Sequence, residues 1–224
     1  MSLQTLILAL AANPDAQRRA QAEIDAIFGR DNPLPEHIDQ EKLRYVNACV
    51  LESQRWRPLG AFPVGPFGLP RKSVVDEEVL GYRIPKGSSV VLNQWTIAHD
   101  TDFYEEPERY NPDRFIQDSV GAKEGVRQEG RKAVYTFGAG RRKCLGKAFA
   151  LQNLRMALSQ ILWAFDIVPA ERLDVDAQTG FAPAVVMIPK PFKVKFVPRK
   201  SQEVLLGEKR KADVMLSEIL GEKA

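Results

Sequence analysis

The stretch FGAGRRKCLGKAFA, residues 137–150, decides how the rest of this sequence is read. A glycine- and arginine-rich loop leads into one cysteine, Cys144, and an apolar helix follows. A thiol at a helix start faces unpaired backbone N–H groups and the positive end of the helix dipole, and both favour an anion. Arg141, Arg142 and Lys143 add cationic charge, a setting that favours thiolate. Gly138, Gly140 and Gly146 let the backbone turn tightly and approach something flat. Such a thiolate is a nucleophile or a metal ligand; the plainer reading is a buried cysteine beside a basic loop. A nucleophile needs a base, and neither His37 nor His99 stands in a recognisable catalytic context.

Bulk composition narrows the field. The 224 residues suffice for one good core or two small domains. Apolar residues make up 44% and charged residues 27%, the balance of an ordinary globular chain. A net charge of +3 demands no nucleic-acid partner. Cys49 and Cys144 are the only cysteines and are not at metal-ligand spacing, which argues against a disulfide framework and a structural zinc site. Unbridged thiols fit a reducing compartment. The start, MSLQTLILALAA, lacks a basic leader and a cleavage site and is too short to span a bilayer. It reads as the tail of a buried helix whose beginning is absent, or as the first helix of a complete domain.

Asn13 as N-cap, Pro14 and Asp15 open a helix on which Ala20, Ile24, Ile27 and Phe28 recur until Gly29. RDNPLPEHIDQ is a loop, and EKLRYVNACVLESQRW is a second helix with Leu43, Val46, Val50 and Leu51 as its stripe. Pro58 ends it. FPVGPFGLPRKSVV, EEVLGYRIP and SSVVLNQWTIAHD read as short β-type segments, and YEEPERYNPDRF as a charged meander. A polar loop reaches the cysteine stretch, and a buried helix is expected from about 145 to 165. FDIVPA and PFKVKFVPR, with a turn near Gly180, suggest a closing hairpin, and the tail SQEVLLGEKRKADVMLSEILGEKA is charged and weakly amphipathic. The fold class is mainly α with small β-sheets, α+β.

Phe137, Gly140, Arg142, Cys144 and Gly146 fill every fixed position of FxxGxRxCxG, and the loop resembles the haem-binding loop of the cytochromes P450. ESQR resembles the family's ExxR motif; Glu52 and Arg55, three apart, share a helix face. NPDRF resembles the downstream PxRF segment. The resemblance implies that Cys144 is the axial ligand of haem iron, that Phe137 packs by the thiolate and that Arg142 pairs with a haem propionate. It implies a Glu–Arg–Arg cluster of Glu52, Arg55 and Arg114 that fixes geometry under the loop. It offers Arg71 as a second propionate ligand, against a plain strand-edge arginine, and His99 as structural or propionate-adjacent. Cys49, on the ExxR helix, is expected in the core. Arg131, Lys132, Arg141, Arg142, Lys143 and Lys147 form a basic patch that suits an acidic redox partner or simply a solvated face.

The resemblance runs over residues 1–198, as the C-terminal haem-binding portion of the fold, with 199–224 as a charged tail. It implies a haem-thiolate monooxygenase using O2, with NADPH–cytochrome P450 reductase or a similar electron donor and an apolar small-molecule substrate. RPLGAFPVGPFG and the hairpin near Gly180 and Phe181 resemble substrate-contacting segments. The distal A/G-G-x-D/E-T-T/S segment is expected just before Met1, so no catalytic residue is assigned here, and the parent is expected at the cytosolic face of the endoplasmic reticulum. The chain alone is expected to be no competent monooxygenase and to leave the LQTLILALAA stripe without packing partners. The alternatives are a non-catalytic remnant and a P450-like isomerase or dehydratase that needs no reductase.

Overall fold

Asn13 and Pro14 split the first apolar run into two helices, Ser2–Ala12 (α1) and Pro14–Phe28 (α2). Proline carries no N–H, so a helix can start at Pro14 but cannot pass through it without losing a hydrogen bond. Asn13 does not cap α2 with its side chain as expected; its Nδ2 turns back and donates to the Ala9 carbonyl at 2.8 Å. The computed structural model describes residues 2–30, 32, 42–59, 70–182 and 186–220, with side chains to 217. His37, most of the loop expected over 30–40 and most of RPLGAFPVGPFG lie outside the described residues.

The next helix, Arg44–Trp56 (α3), begins later than the sequence pattern suggests, and Leu51 is only half-buried. Its start is set from another helix. Leu43 offers no capping side chain, and the Glu23 carboxylate of α2 accepts from the Tyr45 N–H at 2.8 Å and the Val46 N–H at 3.0 Å. A carboxylate there pairs two orphan donors and complements the helix dipole.

Short strands follow: Arg71–Lys72 (β1), Glu77–Val79 (β2), Tyr82–Ile84 (β3) and Ser89–Val90 (β4). β1 pairs with β4 and β2 with β3, both antiparallel. Part of the segment expected as β-type is instead the short helix Gln94–Ala98 (α4), because the Asn93 side chain accepts from the Thr96 N–H at 3.2 Å and caps it. The meander leads into Arg114–Gln117 (α5), and the buried helix is Lys147–Ala164 (α6). The closing hairpin is two nested ladders. Phe165–Pro169 (β5) pairs with Val194–Pro198 (β8), and inside that loop Phe181–Ala182 (β6) pairs with Ile188–Pro189 (β7). The tail forms a helix, Gln202–Leu220 (α7), whose first turn packs Val204 and Leu205 against the core.

The main core joins α1, α2, α3, α6 and β5 around Leu6, Ile24, Val50, Leu158, Leu162 and Ile167. Cys49 lies in it, fully buried, as expected, and burial pushes its thiol well above the ordinary range. A smaller cluster of Leu8, Ala177, Phe181 and Met187 sits under the nested hairpin. α1 is therefore packed on both sides, and the uncovered apolar stripe expected on it is not found: Leu6, Leu8 and Leu10 are all buried. No described helix is long and apolar enough to cross a membrane.

A side chain closes the outer edge of β5. Gln17 donates from Nε2 to the Ile167 carbonyl at 3.0 Å and accepts the Ile167 N–H on Oε1 at 2.6 Å, as a neighbouring strand would. Gln21 adds a bond to the Phe165 carbonyl at 3.1 Å. A leucine at position 17 would leave both buried Ile167 groups unpaired. Gln17→Leu is expected to cost on the order of 2–6 kcal/mol, from about 1–3 for each of the two orphaned groups, read from urea denaturation; a loss below about 0.5 kcal/mol would show that the edge needs no cap.

Candidate functional site

The described residues build one fully buried charge cluster, and it is the one expected. Glu52 and Arg55 lie a turn apart on α3, exposed by 0% and 1%, and Arg114, at 6%, reaches them from α5. Arg55 grips the carboxylate with two parallel bonds, Nε to Oε2 and Nη2 to Oε1, each 2.8 Å. Arg114 Nε adds a third at 3.1 Å and the Asn111 backbone N–H a fourth at 2.8 Å, both on Oε1. The remaining donors are also occupied. Arg55 Nη1 donates to the Ala98 carbonyl at 2.8 Å, and both arginines reach the Arg109 carbonyl, at 3.4 and 3.5 Å. Tyr104 lays its ring beside both guanidiniums, 5.2 and 5.9 Å away. Asn111, Arg109 and Tyr104 were invisible as partners in the sequence, because two of them contribute only backbone atoms.

The cysteine loop leans on this cluster. Thr136 Oγ1 donates to the Gln54 carbonyl, next to Arg55, at 3.1 Å, and Phe137 is half-buried against the main core. The Cys144 N–H then donates to the Phe137 carbonyl at 2.9 Å and closes the loop. Gly138 and Gly140 are left-handed, φ 72° and 64°, which L side chains rarely tolerate. Gly146 is not: its φ is −80°, and a Cβ there would make an ordinary contact, 3.8 Å from Cys144 Sγ. Cys144 stands slightly before the helix rather than in its first turn, because α6 starts at Lys147 with Gly146 as its cap. The thiol is exposed, and Leu145 and Phe149 beside it are 97% and 71% exposed. Arg71, on β1, crosses to the loop and donates from Nη2 to the Arg142 carbonyl at 3.1 Å, so it is tied to the cysteine loop rather than left free at a strand edge.

The basic patch is smaller than expected. Arg131 pairs with Asp100 at 3.0 Å and stacks over Phe103, whereas Lys132, Arg141, Arg142, Lys143 and Lys147 are exposed. Phe181 is fully buried against Trp56 and does not line an open surface.

A second buried group, not expected as a site, adjoins the C-terminal end of α3. Arg57 donates to the Val175 carbonyl at 2.9 Å and to Glu108 Oε2 at 3.1 Å, and its guanidinium lies 4.1 Å from the Trp56 ring centroid. Burial lowers its pKa to about 10. The Met187 N–H donates to the Leu59 carbonyl at 2.8 Å, so the segment after α3 and the nested hairpin do meet. His99 stacks on Trp95 with centroids 3.7 Å apart, and its Nδ1 lies 3.0 Å from the Trp95 carbonyl. Desolvation first, then the nearby Arg55 charge, lowers its pKa to about 3. His99 is thus a neutral packing residue in this structure.

Comparison with known proteins agrees with this geometry. The cytochrome P450 family model matches residues 1–196. A cytochrome P450 monooxygenase of Armillaria gallica is 37% identical over 215 residues, covering 92% of this chain and 40% of the relative. A second from the same organism is 40% identical over 199 residues, covering 86% and 37%. A zebra fish cytochrome P450 solved with abiraterone superimposes with a TM-score of 0.72 at 29% identity, covering 89% of this chain and 43% of that one. The chain belongs to the cytochrome P450 family and spans about two-fifths of the length of these relatives.

Two outcomes follow from the buried charges. Removing one partner strands a charge, so Glu52→Ala or Arg55→Ala is expected to cost about 3–5 kcal/mol in denaturant unfolding. The double variant should be scarcely worse than either single; additive small losses would mark three independent residues. His99 is neutral when folded and titrates near its ordinary 6.5 when unfolded. Between pH 6.5 and about 3 the unfolded chain binds the extra proton, so stability is full above 6.5 and declines as pH falls. His99→Phe should flatten that slope in pH-dependent unfolding curves; an unchanged slope would show that other groups carry it.

Proposed function

We propose that this chain supplies the thiolate side of a haem-thiolate monooxygenase, with Cys144 as the axial ligand of the iron. The observation that carries the reading is an exposed thiol at the closing end of a loop tied to the helix that carries a fully buried cluster. The donor set fits such a group. Among the described residues no three His, Cys, Asp or Glu side chains gather to hold a metal ion. A single thiolate would suit an iron that a porphyrin already holds through its own nitrogens. The exposed Leu145 and Phe149 give an apolar surface for a flat macrocycle, and Arg142 and Arg71 give cations for its propionates.

When bound, haem supplies O2 binding and the redox chemistry that no side chain offers. The chain's own residues do the positioning. The Cys144 N–H bond to Phe137 and the two left-handed glycines fix where the sulfur points. Phe137 packs against the core at the base of the loop, and the Thr136 bond to the Gln54 carbonyl ties the loop to α3, which the Glu52–Arg55–Arg114 cluster holds to α5. In the whole protein the reaction is insertion of one atom of O2 into an apolar organic substrate, the other leaving as water, with two electrons from NADPH–cytochrome P450 reductase or a similar donor. The exposed Lys132, Arg141, Lys143 and Lys147 suit an acidic donor surface.

In the full-length protein, the reduced carbon monoxide complex is expected to show the red-shifted Soret band of thiolate ligation, and Cys144→Ser to abolish it. A band unchanged in the serine variant would overturn the assignment.

A further inference from the structure

We propose that a single structural water occupies the small, partly open cavity of about 10 Å³ between α3, α4 and residues 133–136, with the Gln94 side-chain amide as its anchor. Two independent observations meet there. The first is volume: the space is about that of one water. The second is an unpaired polar atom. Gln94 lines the cavity, is only 8% exposed, and its buried Oε1 has no hydrogen-bond partner. A buried amide oxygen is rarely left unpaired.

Rotating the amide does not remove the need, since Nε2 would then stand where Oε1 stands and would lack an acceptor. A water answers either orientation, donating to Oε1 or accepting from Nε2. It also needs two or more polar neighbours, and Gln54, Tyr104 and Thr136 bring polar side chains to the same walls. Arg55 is on the wall too, which disfavours a cation. The water would thus sit between the helix that carries the buried cluster and the strap that enters the cysteine loop. This inference does not depend on any cofactor.

The test is a high-resolution crystal structure of the 224-residue chain together with oxygen-17 relaxation dispersion, which counts long-lived internal waters. The expected result is one ordered solvent atom at hydrogen-bonding distance, roughly 2.7–3.2 Å, from the Gln94 amide, and one internal water fewer in Gln94→Met. A dry cavity with the amide bonded to a protein group overturns the proposal, and so does an unchanged water count in a folded Gln94→Met chain. Should that variant not fold, the wild-type density alone decides between the two.

Discussion

One carboxylate, that of Glu52, organises the cysteine side of this protein. It accepts four hydrogen bonds, two from Arg55, one from Arg114 and one from the Asn111 backbone, three of them on Oε1 and one on Oε2. Two guanidiniums face one carboxylate, and the surplus positive charge is met by the Ala98 and Arg109 carbonyls and the Tyr104 ring. Burying three charges is costly even when every group is paired. Conformational specificity is the return: α3, α5, the meander and the end of α4 are held in one relative arrangement, because the cluster has no other way to satisfy its donors.

That arrangement reaches the cysteine through few contacts. Gln54 offers its carbonyl to Thr136, Phe137 packs on the core, and the loop then closes on itself through Cys144. Behind α3, the Glu23 carboxylate determines where the helix begins. The helix is thus held by a carboxylate at each end, one completing its backbone pairing from outside and one projecting from within it.

Much of this was legible in the sequence. The spacing of Phe137, Gly140, Arg142, Cys144 and Gly146 announced the loop, and Glu52, Arg55 and Arg114 came together as the motif order implied. Periodicity located α2, α3 and α6, although α3 is buried on nearly every side and not on one face. What stayed hidden was long-range pairing. The cap of α3 comes from Glu23, not from a neighbouring residue, so the helix start was misplaced. Gln17 looks like a surface glutamine in a helix, and its bonds to Ile167 leave no local trace. α4 was missed because apolar residues in a helix of five cannot establish a period, and only the Asn93 cap betrays it. Arg57 and His99 gave no signal beyond their residue types, since what defines them is burial among aromatic rings.

The partners Gln17 and Ile167 are 150 residues apart. The β5–β8 hairpin and the α2–α3 pair can each form from nearby chain, but seating one on the other closes a very long loop. At equilibrium this is inexpensive, because closure entropy grows only logarithmically, by about 0.6 kcal/mol per doubling. Kinetically it is slow, since contacts of such separation are rewarded late. Until that docking, β5 carries a bare edge at Phe165 and Ile167 with donors and acceptors open to a neighbouring molecule. On the ribosome the strand emerges long after the glutamine that will cover it, and the interval between emergence and docking is when two nascent copies can pair edge to edge.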